Sequence, residues 1–216
     1  MKRSFALLLA LLLLTSGLGI IPTAFASTPP KKFTDVEYYT DWYAGAVDEV
    51  SWHLMVGDGD RFYPERTLTR AELALIASRF SPFVNLDEKN YTEDPFEDVD
   101  IKAWYGKAVY WAKEIGIMNG VGDNKFAPDE TITREQLCTV LSRLAQYRGF
   151  PAESASISGF VDNSDVSDWA VDGVRHMVKS GVIKGMPGNL ISPKTAVTRG
   201  EMAMIACRFS DVTIVK

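Results

Sequence analysis

Cysteine and histidine are scarce, with two of each in 216 residues. Cys138 and Cys207 are too few for a disulfide scaffold. Both fall in segments that read as helix, at different places in the repeat described below, so two small buried thiols is a simpler reading than a bridge. His53 and His176 belong to no metal-spaced set, and neither cysteine sits in a nucleophile motif, which leaves metal and thiol chemistry without residues. Positive charge is also short. Lys and Arg number 23 against 28 Asp and Glu, for a net charge of −5. Binding driven by phosphate neutralisation needs the opposite balance, which argues against a nucleic-acid partner. Beyond residue 26 no apolar run is long enough to span a bilayer. What is present is 46% hydrophobic and 24% charged residues, the proportions of a chain that packs a core.

The one long apolar run lies at the start. Met1-Lys2-Arg3 is followed by an apolar stretch from Phe5 to Leu14, continuing to Ile21 and then Ala24-Phe25-Ala26. A basic start, an apolar middle and small residues at an A-x-A site read as a secretory signal peptide over residues 1–26, against the alternative of a membrane anchor. The expected location is outside the cell, on its surface or wall, with residues 27–32 as a short tail.

The rest is one unit written three times. The string P-x4-T-R-x-[E/Q] occurs at Pro64 to Glu72, Pro128 to Gln136 and Pro193 to Glu201, and its arginines Arg70, Arg134 and Arg199 lie 64 and 65 residues apart. Upstream, each copy opens with Phe-x-Asp (Phe33/Asp35, Phe96/Asp98, Phe160/Asp162) and then a tryptophan, Trp42, Trp104 or Trp169. The expected organisation is repeats at 33–80, 96–144 and 160–210, linkers at 81–95 and 145–159, and a tail at 211–216.

Each unit reads as two helices joined by a glycine-containing loop, an all-α chain. The first helix starts near the tryptophan; in copy two Trp104, Ala108, Val109, Ala112 and Ile115 share one face at helical spacing. Gly116 and Gly181 stand where a helix ends on a left-handed residue, whereas copy one has His53 there. Thr-x-x-Glu/Gln is a capping box, so each T-R-x-[E/Q] string starts the second helix. The stripes that follow, Leu73/Ile76/Ala77/Phe80, Leu137/Val140/Leu141/Leu144 and Met202/Ile205/Ala206/Phe209, all run i, i+3, i+4, i+7. A two-helix unit of this size cannot bury enough surface alone, so the three stripes are expected to meet in a pseudo-threefold bundle.

An arginine directly after a helix N-cap opposes the helix dipole, which disfavours a cation there by about 0.3–1 kcal/mol. Arg70, Arg134 and Arg199 are therefore read as an anion site, together with free backbone N–H groups, or as partners of an acidic neighbour. Asp35, Asp98 and Asp162 suit sugar hydroxyls, a helix cap or an arginine, with structural use favoured. The tryptophans suit stacking on a pyranose or anchoring in the core, and periodicity favours the core. Gly57, Gly120 and Gly185 fit close approach of a ligand or a turn requirement. Asp58-Gly59-Asp60 lacks the other ligands of a calcium loop and reads as a turn.

The ordered set of Phe-x-Asp, Trp, loop glycines, Phe-x-Pro and T-R-x-[E/Q] resembles the S-layer homology (SLH) domain in three tandem copies, over residues 33–210. Copy two, from Phe126-Ala127-Pro128 to Gln136, is nearest the pattern. Copy three has Ile191 in place of Phe62 and Phe126 and carries Met186-Pro187-Gly188 in its loop. The resemblance implies a three-pronged, pseudo-threefold spindle around a central three-helix bundle. It further implies that grooves between neighbouring copies, each using residues from two of them, bind secondary cell wall polysaccharide, typically through a pyruvate ketal on N-acetylmannosamine. By match to the motif, the three arginines hold the carboxylate, while the aspartates, tryptophans and loop glycines line the grooves. The reading is a monomeric, non-catalytic anchoring module with no cofactor. A structural role in surface-layer assembly through a larger surface protein is the alternative, and an enzyme acting on wall glycan would need a carboxylate pair in a cleft.

Overall fold

A computed structural model describes residues 32–81 and 84–214; the signal peptide expected at 1–26 lies outside them. Among the described residues the regular structure is helical: α1 (Ala44–Val50), α2 (Arg70–Arg79), α3 (Gly106–Glu114), α4 (Arg134–Tyr147), α5 (Val171–Lys179) and α6 (Arg199–Ile214), with two short 3₁₀ turns at Asn163–Asp165 and Asp168–Ala170. The fold is all-α. Extended backbone contributes only isolated bridges among the described residues.

The second helix of each copy starts where its capping box demands. Thr69 accepts from the Glu72 amide while the Glu72 carboxylate accepts from Thr69 N–H, and Thr133/Gln136 does the same. In copy three Glu201 N–H donates to Thr198 Oγ1 at 3.2 Å and Thr198 N–H to Glu201 Oε2 at 2.9 Å. The apolar stripes on α2, α4 and α6 are all buried. Gly116 and Gly181 end their helices at φ +74°, as a left-handed terminal residue requires.

Helices pair across copies rather than within them. α2 packs on α3, α4 on α5, and α6 on α1, so the second helix of each copy lies against the first helix of the next and the last copy closes on the first. The close pairing of α4 and α5 has a cause in sequence: a Cβ on Gly173 would stand 2.8 Å from Thr139 Cα. Backbone hydrogen bonds tie the three copies in the same cyclic order. Ile132 N–H donates to Leu68 O (2.9 Å), Leu68 N–H to Val197 O (2.8 Å) and Val197 N–H to Ile132 O (2.9 Å). All three side chains are fully buried, so this ring sits in the core where unpaired amides are costly.

The tryptophans depart from the core expectation. Trp42, Trp104 and Trp169 are 63%, 63% and 57% exposed. α1, α3 and α5 each begin two residues after the tryptophan, so the ring precedes the helix and does not share its buried face. In copy two that face is formed by Ala108, Val109, Ala112 and the buried Trp111, with Ile115 half-buried. Both cysteines are free. Burial pushes each thiol up to about 12, which makes them inert.

Candidate functional site

The loop ahead of each second helix is held by the aspartate of Phe-x-Asp. Asp98 Oδ1 and Oδ2 accept the N–H groups of Phe126 and Ala127, both at 2.8 Å. Asp35 clasps Phe62 and Tyr63 at 2.8 Å, and Asp162 clasps Ile191 and Ser192 at 2.7 Å. The second residue of each pair, Tyr63, Ala127 or Ser192, is left-handed at φ +56 to +57°, a conformation costing a non-glycine residue about 1–2 kcal/mol. A carboxylate with both oxygens on the turn offsets that strain. The aspartates therefore act as loop clasps, a structural use that differs from both the helix cap and the arginine partner expected above.

The loop glycines have a structural reason beyond the two expected ones. Gly57, Gly120 and Gly185 are absent from the left-handed positions. Instead a Cβ at each would collide with the phenylalanine of Phe-x-Asp: 2.3 Å from Phe33 Cε1, 2.8 Å from Phe96 Cε1 and 2.9 Å from Phe160 Cε1. At Gly57 and Gly120 it would also lie 2.4 Å from Arg61 O and 2.6 Å from Lys125 O. Gly120→Ala is expected to destabilise by about 2–3 kcal/mol, as overpacking against backbone does, whereas Gly185→Ala, facing one ring that can turn, costs less than half as much. Paired urea titrations measure the difference.

The arginines turn inward. Arg70, Arg134 and Arg199 are only 5–7% exposed. Arg70 donates from Nε to Phe126 O (2.7 Å) and from Nη2 to Asn119 O (2.8 Å), with its guanidinium 4.6 Å from the centre of the Phe126 ring. Arg199 repeats this one copy on, with Nε to Phe62 O (2.8 Å), Nη2 to Val56 O (3.1 Å) and the Phe62 ring at 4.7 Å; its Nη1 also meets Glu72 at 3.3 Å. Burial moves Arg70 and Arg199 below the ordinary arginine range. Arg134 donates from Nη2 to Lys184 O (2.9 Å), and its buried Nε has no partner. Two of the three thus bind carbonyls and an aromatic ring of the next copy's loop, and only Arg199 pairs with an acid.

The helix N-termini are not free either. Arg70 N–H donates to Glu130 O, Ala71 N–H to Pro128 O, and Glu72 N–H to Thr69 Oγ1. Glu130 and Thr195 receive the first amides of α2 and α4, Arg66 that of α6, and Pro128, Pro193 and Pro64 the second ones. The expectation of outward-pointing backbone donors is therefore corrected: the next copy's turn occupies them.

Among the described residues, three of the cavities at the copy boundaries hold an arginine and one of the three tryptophans. One, of about 230 Å³, is lined by Arg70, Asn119, Gly120, Gln136, Arg143 and Trp169, among others. A second, of about 340 Å³, brings together Trp42, Arg134, Lys184, Gly185, Glu201 and Arg208. A third, of about 590 Å³, holds Trp104 with Arg79, Lys102 and Lys107 but not Arg199 or Gly57. The first two each draw on three copies: arginine from one, loop and second helix from the next, tryptophan from the third. At these two, three copies meet where two were expected, because the cross-copy helix pairing carries the first helix, and its tryptophan, around the ring; the third cavity draws on two neighbouring copies.

Asp35, Asp98 and Asp162 line none of the three cavities. A second set of arginines, Arg79, Arg143 and Arg208, does line them. Each stands nine residues after its helix's first arginine and repeats with the same 64 and 65 residue spacing, a signal present in the sequence and passed over. Arg79 Nη1 donates to Leu54 O (2.9 Å) and Arg143 Nη1 to Ile117 O (3.4 Å).

Among relatives, the exoglucanase XynX of Acetivibrio thermocellus is 34% identical over 196 residues, 88% of this chain and 18% of that protein. The surface-layer 125 kDa protein of Lysinibacillus sphaericus is 30% identical over 195 residues, 88% and 16% respectively. The cellulosome-anchoring protein of Acetivibrio thermocellus is 26% identical over 168 residues, 76% and 37%. The chain thus spans between about a sixth and about a third of these relatives' lengths. A family model for the S-layer homology domain matches residues 53–74, 95–138 and 159–203, one stretch in each copy. With the motif, the clasped loops and the boxed helices recurring three times in register with those matches, the chain belongs to the S-layer homology domain family.

Proposed function

We propose that this chain is a non-catalytic anchoring module that holds its bearer on the cell envelope by binding an acidic, pyruvylated secondary wall polysaccharide in the grooves between copies. The observation that carries this reading is the meeting of arginine, loop glycine and exposed tryptophan from three copies in one cavity, twice over. An exposed indole supplies a flat apolar face for a sugar ring, and guanidinium groups supply donors shaped for a carboxylate. The cyclic hydrogen bonds support a pseudo-threefold spindle. Relatives named as surface-layer and cellulosome-anchoring proteins support a cell-surface or wall location. In relatives named as enzymes, such as XynX, the match takes in less than a fifth of the protein, which supports a role apart from catalysis. Residues 1–26 fit as the leader that takes the chain out of the cell.

Purified protein is expected to sediment with wall sacculi and to stay in solution once hydrofluoric acid has stripped the polysaccharide. Joint replacement of Trp42, Trp104 and Trp169 by alanine should lower sedimentation at least about tenfold while leaving the unfolding temperature nearly unchanged, since exposed side chains carry little stability. Undiminished sedimentation with stripped sacculi overturns the proposal.

A further inference from the structure

The three boundaries share a backbone plan, yet their arginines are committed to very different degrees. Arg199 uses Nε, Nη2 and Nη1, lies over a phenylalanine and is neutralised by Glu72. Arg70 uses Nε and Nη2 and also lies over a phenylalanine. Arg134 makes one hydrogen bond, and the residue at the ring's position is Ile191. Its Nε is an orphaned donor on a side chain 95% buried, judged by its 5% exposure. Leaving a buried donor unmade costs about 1–3 kcal/mol, more for a charged group. A guanidinium pinned at one point is also free to turn toward the cavity it lines, where its two counterparts are fixed.

The surroundings of Arg134 differ in the same direction. Lys184 stands where the other loops have Val56 and Asn119. Arg208 lines the cavity as well, and burial together with the nearby charge of Arg134 lowers its affinity for a proton. The carboxylate of Glu201 is the acid in this cavity, and it accepts Thr198 N–H in the capping box. Two arginines that repel one another, a lysine and an exposed tryptophan line this cavity with Glu201 as its single carboxylate, which leaves positive charge in excess there.

We infer that the grooves are unequal and that the one formed by Arg134, Lys184, Arg208 and Trp42 is the high-affinity seat for a sugar-borne carboxylate. The inference rests on the anchoring function proposed above. The Arg70 groove is secondary, and the Arg199 boundary serves chiefly to close the ring.

Calorimetric titration of the full chain with the methyl glycoside of pyruvylated N-acetylmannosamine tests it, with the unpyruvylated glycoside as the control arm. The wild type should show one dominant site. Arg134→Lys, which keeps the charge and loses the planar fork, should weaken that site about tenfold or more. Arg70→Lys and Arg199→Lys should stay within about threefold of wild type. Arg208→Gln, on the same cavity, should weaken binding by about threefold or more without a large change in unfolding temperature, a check that does not disturb Arg134. Binding that is equally sensitive to all three lysine variants, or three sites of equal affinity, overturns the ranking and leaves the anchoring function standing. A wild type that binds neither glycoside nor unstripped sacculi overturns both.

Discussion

Asp98→Ala is expected to lower stability by about 3–5 kcal/mol, because each of two hydrogen bonds to a charged acceptor contributes about 1.5–3 kcal/mol. The change also strands Ala127 at φ +56° without the carboxylate that holds it. In a domain of this size that loss lowers the unfolding temperature by about 10 °C. Asp98→Asn, with one acceptor oxygen left, should lose roughly half as much. Adding Ala127→Gly to the alanine variant should recover about 1 kcal/mol, since glycine enters the left-handed region freely. Failure of the glycine to recover anything would mean that the clasp serves some end other than holding the turn.

The same clasp makes stability depend on acid. Partial burial pushes the Asp98 carboxyl up, but the Phe126 and Ala127 N–H groups outweigh it and hold the group below the usual carboxylate range. A depressed folded value means that protonation favours the unfolded chain. The stabilisation is complete above the unfolded value of about 3.9 and is lost as pH falls from there through the folded value. The stability gap between wild type and Asp98→Ala should therefore be widest at neutral pH and shrink below about pH 4. A gap constant through that window would show that the charge on Asp98 contributes nothing.

What the sequence disclosed divides along a physical line. Features set within one turn of backbone were legible: the boxes at Thr69, Thr133 and Thr198, the four-residue stripes, and the left-handed ends at Gly116 and Gly181 all follow from local rules. Features set by a neighbour distant in sequence, whether in the same copy or the next, were not. Nothing near Gly120 in sequence says that Phe96 fills its Cβ position, and nothing near Arg70 says that Phe126 and Asn119 from the next copy take its donors. The tryptophans were misplaced for a local reason, since a helix beginning two residues later leaves Trp104 outside the periodicity assigned to it. The arginines Arg79, Arg143 and Arg208 were readable from their spacing alone, and only their convergence on the cavities needed coordinates.

The residue that joins clasp, stack and groove is Phe126, and its removal is expected to cost as much as removal of the clasp. It is fully buried. Its N–H is held by Asp98, its carbonyl takes Arg70 Nε, its ring lies under the Arg70 guanidinium, and it stands 5.5 Å from Phe96, the ring that fills the space beside Gly120. Phe126→Ala should cost about 3–5 kcal/mol through lost burial and the cavity left behind. The urea midpoint should fall at nearly constant m. Copy three supplies the contrasting substitution: Ile191 occupies the equivalent place, with Asp162 still clasping its N–H and the ring of core hydrogen bonds intact. Phe126→Ile should accordingly cost only about 1–2 kcal/mol. It also removes the aromatic face beneath Arg70 while sparing both carbonyl bonds, so that arginine becomes more like Arg134. The isoleucine variant should then bind the pyruvylated glycoside at the Arg70 groove more tightly than wild type, and a gain confined to Phe126→Ile would separate the arginine's freedom to turn from overall loosening of the fold. Equal weakening by alanine and isoleucine would mean that the ring holds the groove in shape.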